Sequence, residues 1–197
     1  MGSAKDVRDL VKKLHAAHNA LKESLSNRRG FSSIEPKEIS EQRARFQSAY
    51  RQLFEEYLQP LDLRFRSGEE EAVNEVIDFL VIDSPAFRCG YVKEKWLRRL
   101  KSLLLTPAQK QRLKQAAISI CASPHFRREM VEWNRLMIEL ADADFVKALF
   151  ILREDPNELV REKARRMLYV ILNSRDAIVQ PEWLQQFLLG LVLPNKK

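Results

Sequence analysis

Glycine is scarce in this chain, at 5 of 197 residues, and cysteine scarcer still, at 2. With so little glycine there is no Gly-rich loop to cradle a phosphate, which excludes the common nucleotide-binding motifs. Cys89 and Cys121 lack metal-ligand spacing and sit in apolar or turn contexts, so they read as buried free thiols rather than a disulfide framework. Alternating runs of Val, Ile or Thr are missing, which leaves a sheet little to build on. No apolar run approaches the roughly 20 residues that span a bilayer, and the start lacks a basic-then-apolar secretory pattern. The expectation is an intracellular, cytoplasmic protein without integral membrane contact, and no motif calls for a cofactor or a metal.

What the chain does have is helical periodicity. The residues at its polar positions are mostly Glu, Gln, Lys and Arg, all well tolerated in helices, and the length suits one all-α domain over 1–197. Val7, Leu10, Val11, Leu14, Ala17 and Leu21 give a first helix one apolar face. Ser26-Asn27-Arg28-Arg29-Gly30 stops it, and Pro36 suits the first turn of a second helix. Ile39, Phe46, Tyr50, Leu53, Phe54, Tyr57 and Leu58 line that helix up to Pro60. The pair is expected to form an N-terminal hairpin over 5–60, with Leu61–Gly68 as a connector.

Three helix-break-helix units follow, over 69–105, 106–141 and 142–174. Their breaks are Asp83-Ser84-Pro85, Ser123-Pro124 and Asp155-Pro156, so the prolines are 39 and 32 residues apart. That spacing is near the period of two-helix repeats, in which each hairpin buries the apolar face its neighbour cannot bury alone. The helices after the breaks share a pattern of Arg beside the apolar stripe, as in Trp96-Leu97-Arg98-Arg99-Leu100 and Ala164-Arg165-Arg166-Met167-Leu168. Thr106-Pro107 reads as a cap followed by proline at the first helical position. A last segment over 181–193, with Trp183, Leu184, Phe187, Leu188, Leu191 and Val192, is too apolar for a solvated tail. It closes the stack or serves oligomerisation by docking on another subunit.

The third unit resembles a HEAT or armadillo repeat over about thirty residues. The likeness rests on Asp155-Pro156 between the helices, on Val160-Arg161 opening the second, and on Ala164 and Leu168 within it. The second unit departs from it, with Ser123 in place of the acid, and the first more so, with a longer break through Cys89-Gly90-Tyr91. The resemblance implies a right-handed stack of antiparallel helical hairpins, a short α-solenoid. It also implies that Asp155 and Arg161 take part in a ladder of polar contacts between repeats. Such folds are mainly binding scaffolds; a few bind DNA, and one group of DNA glycosylases excises damaged bases.

Little else suggests chemistry. His15 and His18 share a helical face but lack the further ligands a metal needs. His125 has no nucleophile beside it, and Glu69, Glu70 and Glu71 suit a first helical turn, where unpaired amides stabilise carboxylates. Asp83 and Asp155 would serve a glycosylase only in a deep aromatic pocket. A non-enzymatic protein is the expectation.

The charge pattern says more. Between residues 86 and 135 twelve basic residues face three acids, a surplus of nine in a chain whose net charge is +7. A field of this kind attracts nucleic acid, an anionic membrane surface or an acidic protein. The residues expected to act are Arg98, Arg99, Lys101, Arg127, Arg128 and Arg135. Trp96 and Trp133 lie at equivalent positions; they belong to the core unless an edge is exposed for stacking. The leading reading is a scaffold that binds a protein partner through this basic, aromatic-containing face. The alternative is nucleic-acid binding without sequence preference, which needs the cations aligned in one stripe.

Overall fold

A computed structural model describes residues 4–26, 37–82 and 89–174. The described residues are all-helical, with no strand among them. The chain divides into two compact units, Met1–Val92 and Lys93–Lys197. The expected hairpin over 69–105 straddles this division.

In the first unit, α1 (Ala4–Ser26) packs along α2 (Lys37–Tyr50). Val7, Val11 and Leu14 of α1 are buried, as are Ile39 and Ala49 of α2. The second helix does not end at Pro60. It runs on through a π-helical segment, Arg51–Leu58, into α3 (Gln59–Arg66), so most of the expected connector is helix. The Gln59 amide donates to the Phe54 carbonyl, five residues back. Pro60 then falls in the first turn of α3, where a missing donor and a fixed φ are tolerated.

The chain turns at Gly68, whose φ of +83° is the left-handed conformation that ends many helices. Arg64 fixes that turn. Its Nε donates to Glu69 Oε2 at 2.9 Å and its Nη1 to Glu75 Oε1 at 3.0 Å. The guanidinium holds the Glu69 carboxyl below its ordinary range. Helix α4 (Glu70–Val81) packs on α3 and α1 through Ala72, Val76, Ile77 and Leu80.

The second unit takes in most of α5 (Cys89–Leu100), with α6 (Pro107–Ala122), α7 (Met130–Leu140), α8 (Ala143–Leu152) and α9 (Glu158–Leu172). The expected break through Cys89-Gly90-Tyr91 is instead the opening turn of α5. Cys89, Lys93, Trp96, Leu97 and Leu100 are all buried, a spacing that keeps one helical face inward from the first residue.

Starts and stops elsewhere follow local chemistry. Thr106 and Gln109 form a reciprocal capping box on α6, with Pro107 at its first position. Asp142 caps α8 through the Phe145 amide at 2.9 Å, and Asn157 caps α9 through the amides of Leu159 and Val160.

Helix α6 packs on α7 and α8, and α9 packs on α6, α7 and α8. The breaks at Ser123-Pro124 and Asp155-Pro156 fall between helices as expected. The break at Asp83-Ser84-Pro85, the stop before Pro36 and the segment 181–193 lie outside the described residues.

Candidate functional site

The basic region folds so that its acids meet its bases. Helix α5 carries Glu94 and Arg98; α7 and the residues before it carry Arg128, Glu129, Glu132 and Arg135. Arg98 Nε lies 3.0 Å from Glu132 Oε1, which also accepts from Arg135 Nη1 at 2.8 Å. Glu94 takes Arg128 Nε at 3.2 Å and Arg98 Nη2 at 3.8 Å. A chain of ion pairs therefore runs Arg128–Glu94–Arg98–Glu132–Arg135. The third acid, Glu129, lies 3.6 Å from Lys93, with both side chains almost wholly buried.

This arrangement changes the meaning of the charge count. All three acids among residues 86–135 are engaged with cations at the α5–α7 face. Arg127 is buried at 7 % exposure, as is Lys93 at 1 %, so neither belongs to the outer surface. Arg99 is exposed and Lys101 half-buried. Trp96 and Trp133 show no exposed edge and pack in the core. Of the residues expected to bind, Arg98, Arg128 and Arg135 are brought together, but held by carboxylates and without a neighbouring tryptophan face.

The expected inter-repeat ladder takes another form. Arg161 Nη1 donates to the carbonyls of Asp155 and Pro156 at 2.9 and 2.8 Å, and Asp155 Oδ1 accepts from the Asn157 amide at 2.8 Å. Both residues thus close their own turn, because the loop between α8 and α9 is short and leaves backbone groups to satisfy.

A groove that was not anticipated opens along α7 and α9. Val131, Asn134, Arg135, Arg165, Arg166, Tyr169 and Val170 line a volume of about 540 Å³. Its lining is almost entirely apolar because the arginines contribute their stems. Tyr169 and Val131 are 68 % and 56 % exposed. The sequence signal was the Arg165-Arg166 pair beside the α9 stripe, with Tyr169 one turn on and just off the buried residues Met167, Leu168 and Ile171.

A second, more polar pocket of about 380 Å³ lies between α6 and α8, with Lys114, Ser119, Asp142 and Phe145 in its wall. Lys114 pairs there with Asp142. Burial raises the Asp142 carboxyl, but the Lys114 ammonium and the Phe145 amide outweigh it, and the net position is below the ordinary range.

Among the described residues no His, Cys, Asp and Glu group of three or more is placed to hold a metal ion. His15 is exposed, and the His18 ring lies 5.8 Å from that of Phe46. The Cys121 thiol is pushed up to about 12 by burial, with Lys163 opposing the shift, so it is no thiolate nucleophile. No described helix is long and apolar enough to cross a membrane. Comparison of the chain with protein-family models, curated proteins and solved structures returns no significant match.

Proposed function

We propose that the protein is a non-catalytic helical scaffold, a short right-handed stack of hairpins, that binds a protein partner through its second unit. One observation carries this reading: the α7–α9 groove joins exposed apolar residues, Val131 and Tyr169, to three arginines that line it through their stems. Buried apolar centres with charged or polar rims are the usual anatomy of protein interfaces, and Tyr and Arg are frequent anchors in them.

The nucleic-acid alternative draws less support. Arg98, Arg128 and Arg135 are already bound to Glu94 and Glu132, so a phosphate must displace or share a carboxylate at each. Two other cations of that region are buried. Asp155, the described carboxylate that base excision would call on, is occupied in a turn.

The test places a photo-crosslinking amino acid at Tyr169, or at the exposed Lys147 as a control, in cells of the protein's source. The scaffold reading expects a discrete protein adduct from position 169 that is absent from 147 and lost with Arg165→Glu/Arg166→Glu. In parallel, duplex and single-stranded nucleic acids are titrated at several salt concentrations. Binding near physiological salt that weakens in Arg98→Ala/Arg128→Ala, with no protein adduct, would transfer the function to the alternative.

A further inference from the structure

We infer that the α7–α9 groove receives an amphipathic helix whose apolar face carries bulky anchors and whose flank towards α9 carries carboxylates. The inference rests on the protein-binding reading and specifies the partner's chemistry.

The shape sets the first requirement. Helix α7 has 11 residues and α9 has 15, lengths of about 16 and 22 Å at 1.5 Å per residue. A trough between neighbouring helices of that length matches a helix of three or four turns, docked through residues at i, i+3, i+4 and i+7. Its floor is apolar, with Val131, Val170 and the Tyr169 ring, so bulky apolar side chains fit.

Charge sets the second requirement. Arg135, Arg165 and Arg166 border the groove, and no acid is among its lining residues. Arg165 is exposed and holds no carboxylate among the described residues. Arg166 Nε pairs with Glu162 at 2.7 Å, and Arg135 Nη1 with Glu132 at 2.8 Å. Arg166–Glu162 is an exposed pair, worth little in water, and re-forms on an incoming carboxylate without much loss. Carboxylates on the α9 side of the docked helix would meet Arg165 and Arg166 in bidentate geometry, whereas Arg135 stays with the buried Glu132.

A third feature concerns the anchor. Asn134 is about nine-tenths buried in the groove lining, and its Oδ1 has no hydrogen-bond donor. A buried acceptor without a donor is unfavourable. That oxygen is closed off from the groove surface, so the apolar floor alone selects the anchor, and it suits large side chains such as leucine, phenylalanine or tryptophan. Nucleic acid supplies the negative charge but not an apolar ridge.

The experiment displays a library of 18-residue helix-forming peptides against the full chain. Apolar positions are randomised, and flanking positions are Glu, Gln or Lys. Glu-flanked peptides with large apolar anchors are expected to enrich. Their affinity should fall at least tenfold for Arg165→Glu/Arg166→Glu and for Tyr169→Ser, all exposed positions whose folding is checked by circular dichroism. Amide shifts on binding should concentrate on α7 and α9. Enrichment of Lys- or Gln-flanked peptides to the same degree, or binders indifferent to these variants, overturns the inference and leaves the scaffold reading standing. No enrichment also overturns it; joined to nucleic-acid binding near physiological salt, that result takes the scaffold reading down as well.

Discussion

The ammonium of Lys163 lies 2.7 Å from the carbonyl oxygen of Ile120, and so joins the middle of α9 to the last turn of α6. It also donates to the carbonyls of Ser123 and His125, and the lysine is 5 % exposed. The end of a helix presents carbonyls without partners and carries partial negative charge. A buried cation answers both needs.

Lys163→Met keeps the apolar stem and removes the donors. Hydrogen bonds to charged groups contribute about 1.5–3 kcal/mol, and the orphaned carbonyls add their own cost. The substitution is expected to destabilise the second unit by about 3 kcal/mol, read as a lower urea midpoint by tryptophan fluorescence. An unchanged midpoint would show that water serves these carbonyls equally well.

Lys93 and Glu129 form a different buried pair, with side chains 1 % and 4 % exposed. Removing one member strands the other charge, at a cost of about 3–5 kcal/mol, whereas replacing both with apolar side chains is often nearly neutral. Lys93→Met and Glu129→Leu should each destabilise strongly, while the double variant recovers most of the loss. Additive effects in this cycle would mean that the two charges are satisfied separately.

The Lys114–Asp142 pair predicts a pH dependence. The Asp142 carboxyl is depressed in the folded state relative to about 3.9 in an unfolded chain. Its charge therefore contributes stability fully above that unfolded value, and the contribution disappears as pH falls through the folded one. Asp142→Asn keeps an oxygen to cap the Phe145 amide and deletes only the charge. Thermal melts should show wild type more stable by a constant margin near neutrality, with the margin closing below about pH 4. A margin that widens in acid would refute the assignment.

Cys89 and Cys121 form no disulfide and are buried, and the Cys121 thiol is pushed up to about 12. Neither should react with a disulfide reagent under native conditions at neutral pH. Cys121 labelling in particular should track unfolding, so that its rate rises with urea in step with loss of tryptophan burial. Rapid native modification of Cys121→Ala would locate an exposed thiol at Cys89, and of Cys89→Ala one at Cys121.

Local features are legible in the sequence where one short stretch decides the outcome. Thr106, Pro107 and Gln109 together define a helix start, and the breaks at Ser123 and Asp155 fall between helices. The helix expected from Glu69 runs from Glu70. Readings that depend on residues far apart in the chain fared differently. Arg98 meets Glu132 across 34 positions and Lys163 meets Ile120 across 43, and no spacing rule links either pair. A count of charges therefore saw the basic surplus but not that packing draws all three acids into ion pairs with Lys93, Arg98, Arg128 and Arg135. The α7–α9 groove was missed for the same reason: it belongs to two helices placed side by side, and Tyr169 is ordinary until Val131 faces it.

The π-helical segment has a consequence for how the first unit tolerates change in length. From Ala49 onward the buried positions of this long helix are Ala49, Leu53, Leu58, Leu61 and Phe65, in steps of three or four except between Leu53 and Leu58. In an α-helix residues five apart point about 140° away from each other; bonding five residues back brings them onto one side again. The segment thus holds one surplus residue without turning the rest of the helix out of phase. Loss of a residue between Leu53 and Leu58 would restore an ordinary α-helical repeat and leave Leu61 and Phe65 facing inward. The same loss in α4 would rotate Val76, Ile77 and Leu80 off the core, so the unit has a specific place where its length is adjustable.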